Sequence, residues 1–192
     1  MRTNATTATL SEAAADPTAG LVLRARAGDR DAYGELVERL WPRLVSLARG
    51  VLAADADAED LVQDALVHGW KRLWTLRKPE SFDPWMRRLV TRRCLTRARR
   101  RRPTDEVTEA TGVEEREPGD RVDAARLLAT LAPRQRAVLY LTWIEGCTDR
   151  EAAKLLGLRP ATVRVHRARG LERLRRRVEA GRGAEGPAEE GR

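Results

Sequence analysis

The 192-residue sequence predicts an all-α protein: two small helical domains joined by a flexible linker, the second ending in a helix-turn-helix. Three observations predict it. Apolar residues recur at spacings of three and four through 18–102 and again through 122–178. An acidic stretch at 103–121, punctuated by Gly112, Pro118 and Gly119, separates the two runs. Residues 148–178 read as a short helix, a glycine break and a longer arginine-rich helix.

Residues 1–17 are rich in Thr and Ala without periodicity and read as a flexible arm. From Thr18, the residues Leu21, Val22, Leu23, Ala25 and Ala27 lead to Gly28-Asp29, a helix end or tight turn. Tyr33, Leu36, Val37, Leu40, Trp41, Leu44, Val45 and Ala48 then fall at helical spacing over 31–48, with Pro42 marking a kink or local boundary. After a short loop near Asp55, a further helix carries the stripe Leu61, Ala65, Leu66, Gly69, Trp70 and Leu73. Asp57, Glu59, Asp60 and Asp64 lie near its N-terminal end, where negative charge complements the helix dipole. The same cluster, on a basic protein, is also a docking surface for a basic partner.

Residues 78–84 interrupt the helical pattern. Asp83 caps the next helix, Pro84 suits its first turn, and Trp85, Leu89, Val90 and Cys94 continue an apolar face. Core packing accounts for most of Trp41, Trp70, Trp74 and Trp85, with Trp85 the one placed to stack on nucleic acid. Arg92, Arg93, Arg97, Arg99, Arg100, Arg101 and Arg102 fall within eleven residues, a density that needs solvent or phosphate to balance it. Pro103 ends this helix and opens the linker.

In the second domain, Val122, Ala125, Leu127, Leu128 and Leu131 begin a helical pattern. Pro133 starts another helix with Val138, Leu139, Leu141, Trp143 and Ile144 as its core residues. Thr148 and Glu151 form a capping box, Ala152, Ala153, Leu155 and Leu156 give an apolar side, and Gly157 ends the helix. Pro160 belongs to the first turn of the last helix, which runs to about Val178 with Val163, Leu171, Leu174 and Val178 facing inward. Thr162, Val165, His166 and Arg169 lie on other faces, within reach of base edges or phosphates. Residues 179–192 form a disordered tail rich in Gly, Glu, Ala and Pro.

The formal net charge of +8 and pI near 10.5 favour a polyanionic partner. Only Lys71, Lys78 and Lys154 among the 37 basic residues are lysines, a bias that codon composition can also produce, so arginine content by itself says little about recognition. Cys94 and Cys147 make no disulfide framework, and His68 and His166 no metal cluster. There is no apolar run to span a bilayer and no signal peptide, so the expected location is the cytoplasm. No nucleophile, histidine and carboxylate grouping and no phosphate loop appears, so no enzyme, catalytic residue, metal or cofactor is expected. These features leave open a two-domain helix-turn-helix regulator acting without a polymerase, and an interaction module whose basic faces are merely solvated.

The motifs RARAGDRDAYGELVERLWPRL, DAEDLVQDALVHGWKRL and LAPRQRAVLYLTWIEGCTDREAAKLLGLRPATVR, in that order, resemble bacterial RNA polymerase sigma factors of the extracytoplasmic-function type. The resemblance covers roughly 21–102 and 122–178. It implies a promoter-selecting subunit whose partners are core RNA polymerase, through its β′ clamp helices and β subunit, promoter DNA and an anti-sigma factor, in stress response. It assigns Asp60, Leu61, Gln63 and Asp64 to the polymerase surface of a region 2-like domain at 18–102. It assigns Arg77, Lys78, Trp85, Arg88, Arg92 and Arg93 to capture of the melted minus-10 strand. In a region 4-like domain at 122–178, Arg159, Thr162, Arg164, Val165, His166 and Arg169 face the minus-35 duplex. Arg92 and Thr96 stand where the family often has Asn and Asp. Arg167 replaces an aliphatic residue, its stem covering the core while its head snorkels. Arg159 replaces a small capping hydroxyl before the recognition helix.

Overall fold

A computed structural model describes residues 17–53, 56–100 and 127–184. The N-terminal arm up to residue 16, Arg101 and Arg102, the linker, the onset of the second domain at 122–126 and the tail beyond 184 lie outside the described residues. Those residues are helical throughout, with short 3₁₀ turns and one π turn and no strand, and among them no helix is long and apolar enough to cross a membrane. Contacts divide the chain into two compact units, Met1–Ala48 with Ala56–Cys94, and Arg49–Asp55 with Leu95–Arg192.

The first unit is built on α1 (Pro17–Arg26), most of α2 (Arg30–Leu52), α3 (Ala58–Arg72) and most of α4 (Phe82–Arg100). The turn expected at Gly28-Asp29 is present. Gly28 takes a φ of +100°, a backbone conformation that glycine reaches without steric cost. Asp29 Oδ1 accepts a hydrogen bond from the Ala32 N–H at 3.0 Å and so caps α2, while Arg24 donates to the other carboxylate oxygen at 2.9 Å. These two bonds hold the Asp29 carboxyl below the usual carboxylate range.

The boundary expected at Pro42 is absent, and α2 runs through it. Pro42 is exposed, whereas Leu36, Leu44, Leu47 and Ala48 on either side of it are buried. Burying a leucine contributes about 1.5–3 kcal/mol, so several together outweigh the roughly 3 kcal/mol that an internal proline costs. On α3 the apolar stripe is rotated from the expected one. Ala58, Val62, Ala65, Leu66 and Gly69 are buried, and Leu61 and Trp70 only partly. Phe82, Met86, Val90 and Cys94 form the inward row of α4, while Trp85 and Leu89 are half-buried. Asp83 is not the cap of α4. It lies within the first turn, because the 3₁₀ turn Pro79–Ser81 runs directly into the helix at Phe82, and its Oδ2 pairs with Arg43 of α2 at 3.1 Å.

In the second unit residues 127–129 form a helical turn, followed by α5 (Pro133–Leu139), a π turn (Tyr140–Ile144), α6 (Asp149–Leu156) and α7 (Pro160–Ala184). Both α5 and α6 pack on α7. Leu131, Ala137, Val138, Leu141, Ala152, Leu155 and Val163 are buried and make the core. Trp143 and Ile144, expected in it, are 58% and 69% exposed. The cause is the π turn: the Glu145 N–H donates to the Tyr140 carbonyl, five residues back, so the chain is one residue overwide per turn. That shift keeps Tyr140 and Leu141 inside and turns the next apolar pair outward.

Candidate nucleic-acid and polymerase interfaces

The helix-turn-helix is specified by local chemistry. Glu151 Oε2 accepts a hydrogen bond from the Thr148 N–H at 2.8 Å, and Thr148 Oγ1 accepts one from the Glu151 N–H at 3.3 Å, closing the capping box. Gly157 ends α6 in the left-handed conformation at φ 66°, and the Leu158 N–H donates to the Ala153 carbonyl at 2.9 Å. Arg159 caps α7 through its backbone: its carbonyl accepts from the N–H groups of Thr162 and Val163, at 2.9 and 3.1 Å, while its side chain stays exposed.

Val163 is fully buried, and Gly170, two turns on along the same face, is buried too. A Cβ on Gly170 would lie 3.1 Å from Leu139 Cδ1, so glycine lets α7 approach α5 closely. Beyond it the expected inward stripe fades: Leu171 and Leu174 are half-buried, and Val178 is exposed, because α6 and α5 no longer cover α7 there. Arg167 is tied to Asp149 on α6 by two hydrogen bonds, Nη1 to Oδ1 at 2.5 Å and Nη2 to Oδ2 at 3.4 Å. Its head is therefore bound to the partner helix instead of snorkelling into water, a link that a sequence reading without pair distances does not reveal.

The outward side of α7 is centred on Val165, 47% exposed, with Arg169 close to the same line. Arg164 and His166 lie about 100° to either side of Val165. Thr162 and His166 are half-buried and Arg164 and Arg169 exposed. Such a face offers a methyl-bearing centre with the cations Arg164 and Arg169 beside it, the chemistry of base contact combined with phosphate contact. Burial, Arg134 and Arg169 together hold the His166 imidazole below its ordinary pKa of 6.5. Arg134, at the start of α5, is thus part of this face although the sequence reading omitted it.

In the first unit Arg77 and Lys78 are exposed between the two 3₁₀ turns, held by buried Leu73, Leu76 and Phe82. Trp85 is half-buried against Phe82, ring centroids 6.1 Å apart. Trp85, Arg88 and Arg92 sit at i, i+3 and i+7 on one side of α4, and Arg88 and Arg92 are exposed. Arg93 is turned toward α3, where burial and the charges of Arg93, Arg72 and Lys71 hold His68 below its ordinary pKa.

Asp60, Gln63 and Asp64 are exposed on one side of α3, and Leu61 is half-buried beside them. Gln63 also borders a groove of about 530 Å³ between α2 and α3, lined by Arg30, Tyr33, Val37 and Trp41 on one side and by Leu66, Val67 and Trp70 on the other. Val67 is 55% exposed at its edge. Tyr33 shapes the floor. Its hydroxyl donates to the Leu66 carbonyl at 2.6 Å, its ring packs on Trp70 at 4.9 Å, and burial raises its pKa. The sequence reading singled out the acidic residues of α3 and missed this groove, because its walls come from two helices.

One unit carries an exposed apolar groove and the other a helix-turn-helix with an exposed basic face, the architecture of a DNA-reading protein. Family models agree: Sigma-70 region 2 matches residues 36–104, and Sigma-70, region 4 matches 121–174. The ECF RNA polymerase sigma factor SigM of Mycobacterium tuberculosis is 30% identical over 154 residues, covering 78% of this chain and 79% of the relative. RNA polymerase sigma factor CnrH of Cupriavidus metallidurans is 34% identical over 169 residues, covering 78% and 88%. The solved structure of CnrH in complex with the cytosolic domain of CnrY superposes with a TM-score of 0.65 at 28% identity, over 86% of this chain and 99% of that one. That of RpoE in complex with the anti-sigma factor NepR from Bartonella quintana gives 0.64 at 21% identity, over 77% and 96%, a likeness of fold.

The chain belongs to the extracytoplasmic-function group of the sigma-70 family of RNA polymerase sigma factors. It binds core RNA polymerase and directs promoter recognition, and it does so by binding and not as an enzyme.

Proposed function

We propose that residues 18–102 and 122–178 divide promoter recognition between them. The first domain docks on the β′ clamp helices through Asp60, Gln63, Asp64 and the adjoining apolar groove. It holds the melted minus-10 strand with Arg77, Lys78, Trp85, Arg88, Arg92 and Arg93. The second reads the minus-35 duplex with Arg159, Thr162, Arg164, Val165, His166 and Arg169. Leu61, half-buried, supports the docking helix from the side.

The observation that carries this reading is the presence, on separate units, of an apolar groove walled by a helix that also exposes Asp60 and Asp64, and of an exposed basic recognition helix. An amphipathic basic helix suits the groove: apolar residues enter between Trp41 and Trp70, and its cations meet Asp60 and Asp64. The exposed pair Trp143 and Ile144 supplies a second, apolar polymerase contact, to the β subunit. An anti-sigma factor regulates the protein by covering the same groove, a reading supported by its likeness to CnrH, which was solved with CnrY.

Reconstitution with core polymerase and a promoter library tests the assignment. Wild-type protein yields start-site-specific transcripts. Val67→Asp, which places a charge at the groove edge on an exposed position, lowers affinity for core polymerase at least tenfold without lowering the melting temperature. No selected promoters with folded protein and active core enzyme, or an unchanged core affinity for Val67→Asp, would overturn it.

A further inference from the structure

Trp74 is 73% exposed, the most exposed of the large apolar side chains among the described residues. It does not reach the surface by fraying. It sits on the 3₁₀ turn Leu73–Thr75, whose neighbours Leu73 and Leu76 are buried. The Leu76 N–H donates to the Leu73 carbonyl at 3.1 Å, and Thr75 Oγ1 to the Arg72 carbonyl at 2.7 Å. The turn is anchored on both sides and presents an indole between them.

The surroundings of that indole are cationic. Lys71, Arg72, Arg77 and Lys78 are all exposed within four residues of it, and no acidic residue occurs from 65 to 79. Helix α1 packs against both 3₁₀ turns, so the Trp74 turn and the turn that leads into α4 share one support. The lowered pKa of His68, to which Arg93, Arg72 and Lys71 contribute, agrees with convergence of the end of α3 and the basic side of α4.

A flat apolar ring ringed by cations suits a ligand that is both polyanionic and planar. Duplex DNA offers phosphates but hides its base faces. An acidic peptide neutralises the cations but leaves the ring unmatched. Unpaired DNA supplies both, since any base has a π face and each nucleotide a phosphate. We propose that Trp74 is a stacking platform for an unpaired base of the melted promoter strand, with Lys71, Arg72, Arg77 and Lys78 holding the adjacent phosphates. This rests on the assignment of single-strand capture to the first domain and adds a residue to it. Trp85, half-covered by Phe82, is the poorer platform of the two.

The test uses holoenzyme on a promoter with a pre-melted bubble, carrying 2-aminopurine at successive positions of the non-template strand. Wild-type protein quenches one position within the bubble. Trp74→Ala restores fluorescence at that position and weakens bubble binding on the order of tenfold, the size of one lost base stack. Trp74→Phe keeps most of both signals. Core-polymerase affinity and binding to a duplex minus-35 fragment stay unchanged for either variant. Unchanged quenching and bubble affinity in Trp74→Ala would overturn the platform. So would a loss of core affinity without DNA, which would make Trp74 a protein contact. Failure of the underlying reading looks different: Arg88→Ala with Arg92→Ala would then leave bubble binding unaltered as well.

Discussion

His166 shows how one side chain carries information about a whole face. Half-buried on α7, with Arg134 and Arg169 nearby, it has a pKa lowered first by burial and then by those charges, which favours the neutral imidazole in the free protein. Phosphates arriving at this face offset the two arginines and favour the imidazolium, so the bound pKa lies above the free one. Binding therefore takes up a proton. Affinity for minus-35 duplex should rise as pH falls from about 7 to the lowered free-state pKa and level off below it, and His166→Gln should flatten the profile. Fluorescence anisotropy across that range, at fixed salt, checks it; a profile that falls with acid would reverse the sign. Arg164→Ala should weaken the same duplex more than Arg182→Ala, in the same assay. Single residues were also where the sequence was least legible. Trp74, Trp143 and Ile144 read as core because side-chain identity reports apolarity, not direction. The direction is set by a 3₁₀ turn and a π turn, whose i+3 and i+5 bonds leave no distinct residue signature.

At the scale of elements, the sequence was most legible where a helix end is written in a few residues. Thr148 with Glu151, Gly157 and Pro160 each act locally, and α6 begins and ends, and α7 begins, where they require; α7 then runs to Ala184, beyond the end near Val178 that the sequence suggested. Gly157→Ala places a Cβ at a φ of 66° and should cost about 1 kcal/mol of unfolding free energy by urea denaturation, with little change in m-value. Phase was less legible than ends: Leu61 and Val62 are both apolar, and only packing decides that Val62 faces in. Neither could residue spacing show that Arg167 and Asp149, 18 positions apart, lock the two helices together. Both groups are partly solvated, at 33% and 20% side-chain exposure, so the pair is worth modest energy. A double-mutant cycle of Arg167→Leu and Asp149→Ala should give a coupling of about 0.5–1 kcal/mol. Arg167→Leu alone should be near neutral, since the leucine restores apolar cover over the core while Asp149 keeps partial access to water. A large loss for Arg167→Leu would mean that the ion pair, and not packing, sets the angle between the helices.

For the molecule as a whole, the proposed division places two recognition surfaces on separate units, which would gain their strength from being held on one polymerase and one promoter. Linked sites raise avidity by effective concentration without any new contact, so the free chain should bind either promoter element weakly. The same separation predicts how defects combine. Arg164 on α7 and Arg88 on α4 belong to different units, so their free-energy losses should add. On a complete promoter, if Arg164→Ala and Arg88→Ala each weaken holoenzyme binding about tenfold, the double variant should lose about a hundredfold, or about 2.7 kcal/mol. On a bubble template lacking the upstream element, Arg164→Ala should have no effect and Arg88→Ala its full one. Raising salt should shrink both single effects on the complete promoter, because each arginine displaces counterions from phosphate. If the double variant were no worse than either single one, both residues would be serving one contact, and the division of promoter reading between the two domains would fail.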